Sequence, residues 1–155
     1  MFIRVRPFDS SDQKDARRIV LEGLGEHFGA VDESLNPDLN DIQSSFIGAG
    51  NDFYVAEADG RIVGTAGLLF EFNRSRIVRM SVEKHHRRNG IAKALLSRCI
   101  ERSRQRGFPE IVAFTEPHWT DAVGFYRRSG FSQYGSDEVD IHLRLSLETP
   151  ISSGL

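Results

Sequence analysis

Apolar positions along this 155-residue chain change their period several times, and each change marks an element. The clearest case lies near the C-terminus, where Val139, Ile141, Leu143, Leu145 and Leu147 alternate with Asp140, His142, Arg144 and Ser146. A period of two sends the sets to opposite faces, so this is a half-buried strand. Ile91, Leu95, Leu96 and Cys99 recur at helical spacing instead, with Lys93, Ser97, Arg98, Glu101 and Arg104 on the other faces. That pattern predicts an amphipathic helix from Gly90 to Gln105, stopped by Gly107. Ala16, Ile19, Val20 and Leu24 predict another, capped within Ser10-Ser11-Asp12 and ended loosely by Gly23, Gly25 and Gly29. A third runs from Thr120 to Ser129, with Gly130 as its stop. Leu39, Ile42, Phe46 and Ile47 suggest a short fourth inside the polar stretch 30–50.

Strands fill the remainder. Phe2, Ile3 and Val5 form a short one broken by Pro7. Phe53–Ala56 leads through the turn composition Ala58-Asp59-Gly60-Arg61 into Ile62–Phe70. Asn73-Arg74-Ser75 turns into Ile77–Val82, and Ile111–Phe114 and Phe131–Tyr134 are also extended. The order β-α-α-β-β-β-α-β-α-β-β describes one mixed α/β domain over residues 1–148, with 149–155 expected to fray.

Composition narrows the classes. With 39% hydrophobic and 27% charged residues the chain is an ordinary globular one. A net charge of −2 argues against general nucleic-acid binding, and Arg98, Arg102, Arg104 and Arg106 read as a solvated helix end. No apolar run is long enough to span a bilayer. The first residues read as a strand rather than a secretory signal, and Cys99 is the only cysteine, so a cytoplasmic setting is expected. Cys99 itself sits on the apolar side of its helix, as a small core residue. His85, His86 and His118 do not make a metal site, because adjacent histidines rarely share one ion and no cysteine is near.

The chemistry concentrates in one unit of strand, polar turn and helix, running from Ile77 through Glu83–Asn89 to the helix at Gly90. A helix N-terminus offers unpaired N–H groups and the positive end of its dipole. Gly90 puts no side chain in the way of a phosphate, Ala92 is nearly as small, and Arg87 and Arg88 add guanidinium donors. Taken alone, the segment reads equally well as a solvated basic turn. It matches neither G-x-x-x-x-G-K-[ST] nor G-x-G-x-x-G.

Arg87-Arg88-Asn89-Gly90-Ile91-Ala92 resembles the Q/R-x-x-G-x-G/A pyrophosphate loop of the GNAT superfamily of N-acetyltransferases, as do the flanking Met80-Ser81-Val82 and Ala94-Leu95-Leu96. Ala122-Val123-Gly124-Phe125-Tyr126-Arg127-Arg128-Ser129-Gly130-Phe131 is similar to the family's A-x-x-x-Y-x-x-x-G-F element, at the expected distance. The resemblance implies a mixed, mostly antiparallel sheet of about seven strands with about four flanking helices, its fourth and fifth strands splayed. It implies acetyl-CoA as acyl donor, its pyrophosphate on Arg87–Ala92 and its pantetheine arm paired with the backbone at Met80 and Val82. An amine acceptor, small molecule or protein, would attack the thioester directly. A backbone N–H of the fourth strand would stabilise the oxyanion, a donor whose removal typically costs about 3–4 kcal/mol. Tyr126 stands where the family places the hydroxyl that protonates the leaving sulfur, a modest help to a thiol of pKa about 8.5. Trp119 occupies the position where many members carry an asparagine on the pantetheine arm, and no asparagine role is carried over to it.

The proton acceptor stays open among Glu71, Glu116, His118 and water. Glu26, Asp32, Glu33 and Asp38 make the 25–50 rim acidic, which points mildly to a cationic acceptor; the 70–76 and 132–139 segments form the other rims. No metal, nucleic-acid or membrane partner is expected, and the chain is expected to be a monomer or homodimer. The alternative from another class is a non-catalytic acyl-CoA-binding or sensing module.

Overall fold

The alternating segment near the C-terminus lies inside a seven-stranded sheet. In the computed structural model, which describes residues 2–148, the strands are β1 (Ile3–Pro7), β2 (Asp52–Ala58), β3 (Arg61–Phe70), β4 (Ser75–Val82), β5 (Glu110–Thr115), β6 (Ser132–Ser136) and β7 (Ile141–Ser146). The helices are α1 (Gln13–Phe28), α2 (Ile42–Ser45), α3 (Ile91–Gln105) and α4 (Thr120–Arg128). The tail expected to fray, 149–155, lies outside the described residues. Strand order is β1-β2-β3-β4-β5-β7-β6, and every neighbouring pair is antiparallel except β4 and β5.

Each face of the sheet has its own core. Odd-numbered positions of β4, β5 and β7, including Ile77, Ile111, Ala113 and Leu143, pack with Leu95, Leu96 and Cys99 of α3 and Tyr126 of α4. The other face buries Phe53, Val55 and Ile62 against Ala16 and Ile19 of α1 and Ile42 of α2, with Val78 alongside. The β2–β3 connection is the tight turn that its composition predicts. Asp59 and Gly60 both take positive φ, 53° and 78°, the conformation whose twist matches flanking strands.

Two local expectations need correction. First, α1 does not end at Gly23 or Gly25 but runs to Phe28, where Gly29 closes it at φ 82°. Gly23 serves close approach rather than termination: a Cβ there would lie 2.7 Å from Ser81 Oγ on β4. Second, the N-cap residue of α1 is Asp12, inside the expected segment, but the side-chain capping bonds lie one turn earlier, at Asp9. Asp9 accepts from the Ser11 N–H, and Asp12 accepts from the Asp9 N–H, around a 3₁₀ turn that leads into α1. The 30–50 stretch holds the four-residue α2 and three 3₁₀ turns, at Glu33–Leu35, Pro37–Asn40 and Ile47–Ala49. The arginine cluster on α3 packs rather than simply solvating. Arg98 lies over Tyr54, Arg106 over Phe70, and Arg102 binds Asp52 at 2.9 Å. No helix among the described residues is long and apolar enough to cross a membrane.

Candidate active site

The parallel pairing of β4 with β5 consists of three rungs: Ser75–Ile111, Arg76–Val112 and Ile77–Ala113. Beyond them β4 continues to Val82 and β5 to Thr115, so the strands diverge into a V that opens toward their C-terminal ends. A bulge bends β4 at this point. Thr65 pairs with Ser81 and Gly67 with Val78, leaving Arg79 and Met80 together opposite Ala66. Arg79 sits at φ 55°, a left-handed conformation that costs an L-residue roughly 1–2 kcal/mol. It is held there from both ends. The buried Thr65 hydroxyl donates to its carbonyl at 2.8 Å, and its guanidinium binds both oxygens of Asp38 at 2.7 and 2.9 Å. Nothing in an arginine codon position announces a positive φ, so sequence reading missed Arg79.

At the wide end of the V, a 3₁₀ turn (Lys84–His86) leads into Arg87–Gly90. Arg88 and Gly90 both have positive φ, 63° and 79°. A Cβ on Gly90 would meet nothing within 4 Å, so glycine is needed here for its backbone angle. No side chain caps α3, whose first internal bond runs from Ala94 N–H to Gly90 O. The N–H groups of Ile91, Ala92 and Lys93 therefore precede the helical ladder and point out of its positive end. The buried Ile91 anchors this end to the sheet, over Gly64, where an added Cβ would come within 2.9 Å of Ile91 and 3.1 Å of Leu95.

Arg87 does not reach outward as its sequence position suggests. Its Nε donates to the Val82 carbonyl at 3.1 Å, and its two terminal nitrogens bind Glu26 of α1 at 2.8 and 2.6 Å. That pairing lowers the Glu26 carboxyl below its usual range and raises the Arg87 guanidinium. Arg87 Nε also takes one acceptor position of the Val82 carbonyl, while Met80, the other expected backbone partner of an arm in the V, lies within the bulge. Arg88 and Asn89 are exposed, and Asn89 Nδ2 donates to His86 O. With Glu26 on Arg87 and Asp38 on Arg79, two of the four acidic rim residues are neutralised internally. This rim accordingly favours a cationic acceptor less than its composition suggests.

Tyr126 is buried on the α3–α4 side, its ring 5.2 Å from both Phe125 and Phe131 in edge-to-face contact. Burial, and then the nearby Cys99, push its hydroxyl far above the ordinary phenol range; burial likewise lifts the Cys99 thiol to about 12. Both groups hold their protons at any physiological pH.

The three candidate proton acceptors separate. Glu71 lies beside the β3–β4 turn, at the closed end of the V, bound to Arg74 at 2.9 Å and Arg76 at 3.2 Å. His118 is exposed in the β5–α4 turn, its N–H donating to Glu116. Glu116 stands at the wide end, where it binds His27 Nε2 at 3.0 Å. His27 stacks flat on Trp119, with centroids 4.2 Å apart and planes 9° apart. The last turn of α1 thus holds both banks of the V, Arg87 through Glu26 and the end of β5 through His27. Pairs separated by 61 and 89 residues leave no local mark in a sequence. Among the described residues, no group of three or more His, Cys, Asp or Glu side chains is placed to share a metal ion.

Residues 17–131 match the family model described as the Acetyltransferase (GNAT) family. Human N-acetyltransferase 8B is 34% identical over 122 residues, which are 74% of this chain and 54% of that protein. The chain thus spans about half the length of the curated relatives it matches. A GNAT-family acetyltransferase from Staphylococcus aureus Mu50 superposes with a TM-score of 0.86 at 23% identity, over 95% of this chain and 100% of its own. The PaiA N-acetyltransferase of Thermoplasma acidophilum, solved in complex with coenzyme A, gives 0.81 at 17% identity, over 94% and 99%. At such identities the structural likenesses speak for the fold, including the parallel, splayed β4 and β5. With the family model covering most of the chain, and a relative above 30% identity, this chain belongs to the GNAT superfamily of N-acetyltransferases.

Proposed function

We propose that the chain transfers an acetyl group from acetyl-CoA to an amine acceptor by direct attack in a ternary complex. The observation that carries this reading is the V between β4 and β5, opening onto the uncapped N-terminus of α3. The N–H groups of Gly90, Ile91 and Ala92, with Asn89 and the exposed Arg88, would hold the pyrophosphate by backbone donors and dipole. Arg87 contributes its backbone and braces the loop against α1 and Val82. The Met80 backbone, which the bulge leaves without a register partner on β3, would pair with the extended arm. Bound there, the thioester supplies an activated acetyl group. Tyr126 keeps its phenolic proton and is the group we assign to protonating the departing sulfur.

A thiol-release assay with acetyl-CoA and a panel of primary amines tests the reading. Acceptor-dependent release, with the acetylated amine seen by mass spectrometry, is the expected result. Tight CoA binding with no release for any small amine, peptide N-terminus or lysine peptide would instead identify a binding module.

A further inference from the structure

Phe114 is the first residue of β5 beyond the last rung shared with β4, so it marks the vertex of the V. Ile111 and Ala113 face the α3–α4 core, which puts Phe114 on the opposite face. Its cross-strand partner is His142 of β7, whose imidazole stacks on the Phe114 ring with centroids 3.9 Å apart. His142 Nε2 lies 2.7 Å from Asp137 Oδ2. Asp137 is itself fixed, its Oδ1 accepting the N–H groups of Val139 and Asp140 at 2.7 Å each. Among the described residues His142 Nδ1 has no hydrogen-bond partner.

An acyl arm anchored at the N-terminus of α3 enters the V from the wide end, so its far end, the thioester, lies toward the vertex. We infer that His142, oriented by Asp137, is the general base that takes the proton from the acceptor ammonium. The inference rests on the acetyl-transfer reading and names the residue that reading leaves open. In an Asp–His pair the carboxylate accepts the Nε2–H, leaving Nδ1 with the lone pair and stabilising the imidazolium once it forms. An N–H bond of the acceptor breaks and its proton passes to Nδ1. The freed lone pair forms the C–N bond at the thioester carbon as the C–S bond breaks. Sulfur leaves with a second nitrogen proton, relayed through Tyr126, and His142 returns its own proton to solvent.

The alternatives stand in worse places. His27, Glu116 and, in the turn after β5, His118 lie at the wide end, where the near half of the arm would run, and Glu71 is held by two guanidiniums. The charges around His142 are mixed. Asp137 and Asp140 face it from the β6–β7 turn, with Glu116 acting on Asp140 from the end of β5. Arg74 and Arg76 lie over the far partner of its stack, Phe114, at 5.2 and 4.9 Å. Tyr134 of β6 is 5.9 Å away, covered by Arg144 of β7.

The test uses the whole chain, acetyl-CoA and the fastest amine of the panel, with kcat/KM measured from about pH 6 to 10. His142→Gln should lower kcat/KM at pH 7 by about 10²- to 10³-fold, within the range of a positioned base. The deficit should close as pH rises and free amine becomes abundant, while CoA affinity by calorimetry stays within about twofold of the original. His142→Phe, which keeps an aromatic stack on Phe114, should show the same loss and the same pH dependence with an unchanged melting temperature. Activity within about threefold of the unaltered protein, or a deficit constant across pH, would overturn the assignment. Should the unaltered protein release no thiol with any amine, the acetyl-transfer reading itself fails; should it turn over while both variants match it, only His142 does.

Discussion

Tyr126 shows what burial does to a catalytic candidate. A phenol pressed between Phe125 and Phe131 gains nothing by ionising, and its high pKa makes it a steady proton donor rather than a base. Tyr126→Phe removes one oxygen and leaves both ring contacts, so the fold should be unaffected. We expect kcat to drop about 10²-fold at pH 7–8, the low end for a positioned acid, because a thiolate is a tolerable leaving group. Stopped-flow thiol release across pH checks it, and unchanged turnover through the alkaline range would remove the acid role. Cys99 makes the complementary case. Fully buried and raised to about 12, it should resist iodoacetamide in the folded protein and react only on unfolding, as mass spectrometry of labelled chains would register.

Among the elements, α3 is positioned by what β3 lacks. Gly64→Ala would drive a Cβ to 2.9 Å from Ile91, 3.1 Å from Leu95 and 3.3 Å from the Ser81 carbonyl. The side chains can shift but the backbone cannot, so overpacking should cost about 1–3 kcal/mol and lift the α3 N-terminus from the sheet. A lower midpoint in urea together with weakened CoA binding is the expected pair of results. The β6–β7 turn behaves differently, being held by charge. The Val139 and Asp140 N–H groups, and then His142, hold the Asp137 carboxyl down at about 2. A depressed carboxyl contributes order above its unfolded value, 3.8, and loses it as pH falls through its folded value. The amide shifts of Val139 and Asp140 should therefore collapse with a midpoint near pH 2 in an NMR titration, rather than near 3.8. Elements of this kind were readable in the sequence where one local rule decided them. Alternation placed β7, helical period placed α3, and Asp59-Gly60 placed its hairpin. Gly23 and Gly25 do not stop α1 as their type suggests, because a glycine that stops a helix looks like one that lets a neighbour come close, β4 at Gly23 and the Val31 side chain at Gly25.

At the scale of the whole molecule, the mixed sheet and its splayed fourth and fifth strands followed from the family resemblance carried by two short motifs, Arg87–Ala92 and Ala122–Phe131. The bracing of the V did not, since it joins α1 to segments more than sixty residues away. Function divides along the same line. The proposed donor side rests on a contiguous segment, Arg87–Ala92, whereas the proposed acceptor side would draw on α1, the bulge of β4, β5 and β7, which lie far apart along the chain. The Glu26–Arg87 pair has one more consequence, for the way affinity responds to ionic strength. The loop carries its own counter-ion, so an incoming anion would meet a guanidinium whose charge a seated carboxylate already offsets. Association with such a loop should gain little from that charge and vary only shallowly with salt. Glu26→Gln would unmask the guanidinium. CoA should then bind tighter at low salt, by about two- to fivefold, the scale of an exposed ion pair, and the gain should vanish by 0.5 M NaCl. Calorimetric titrations at two salt concentrations would show it, and an equal or weaker affinity at low salt would mean that the carboxylate does not offset the charge a bound anion meets.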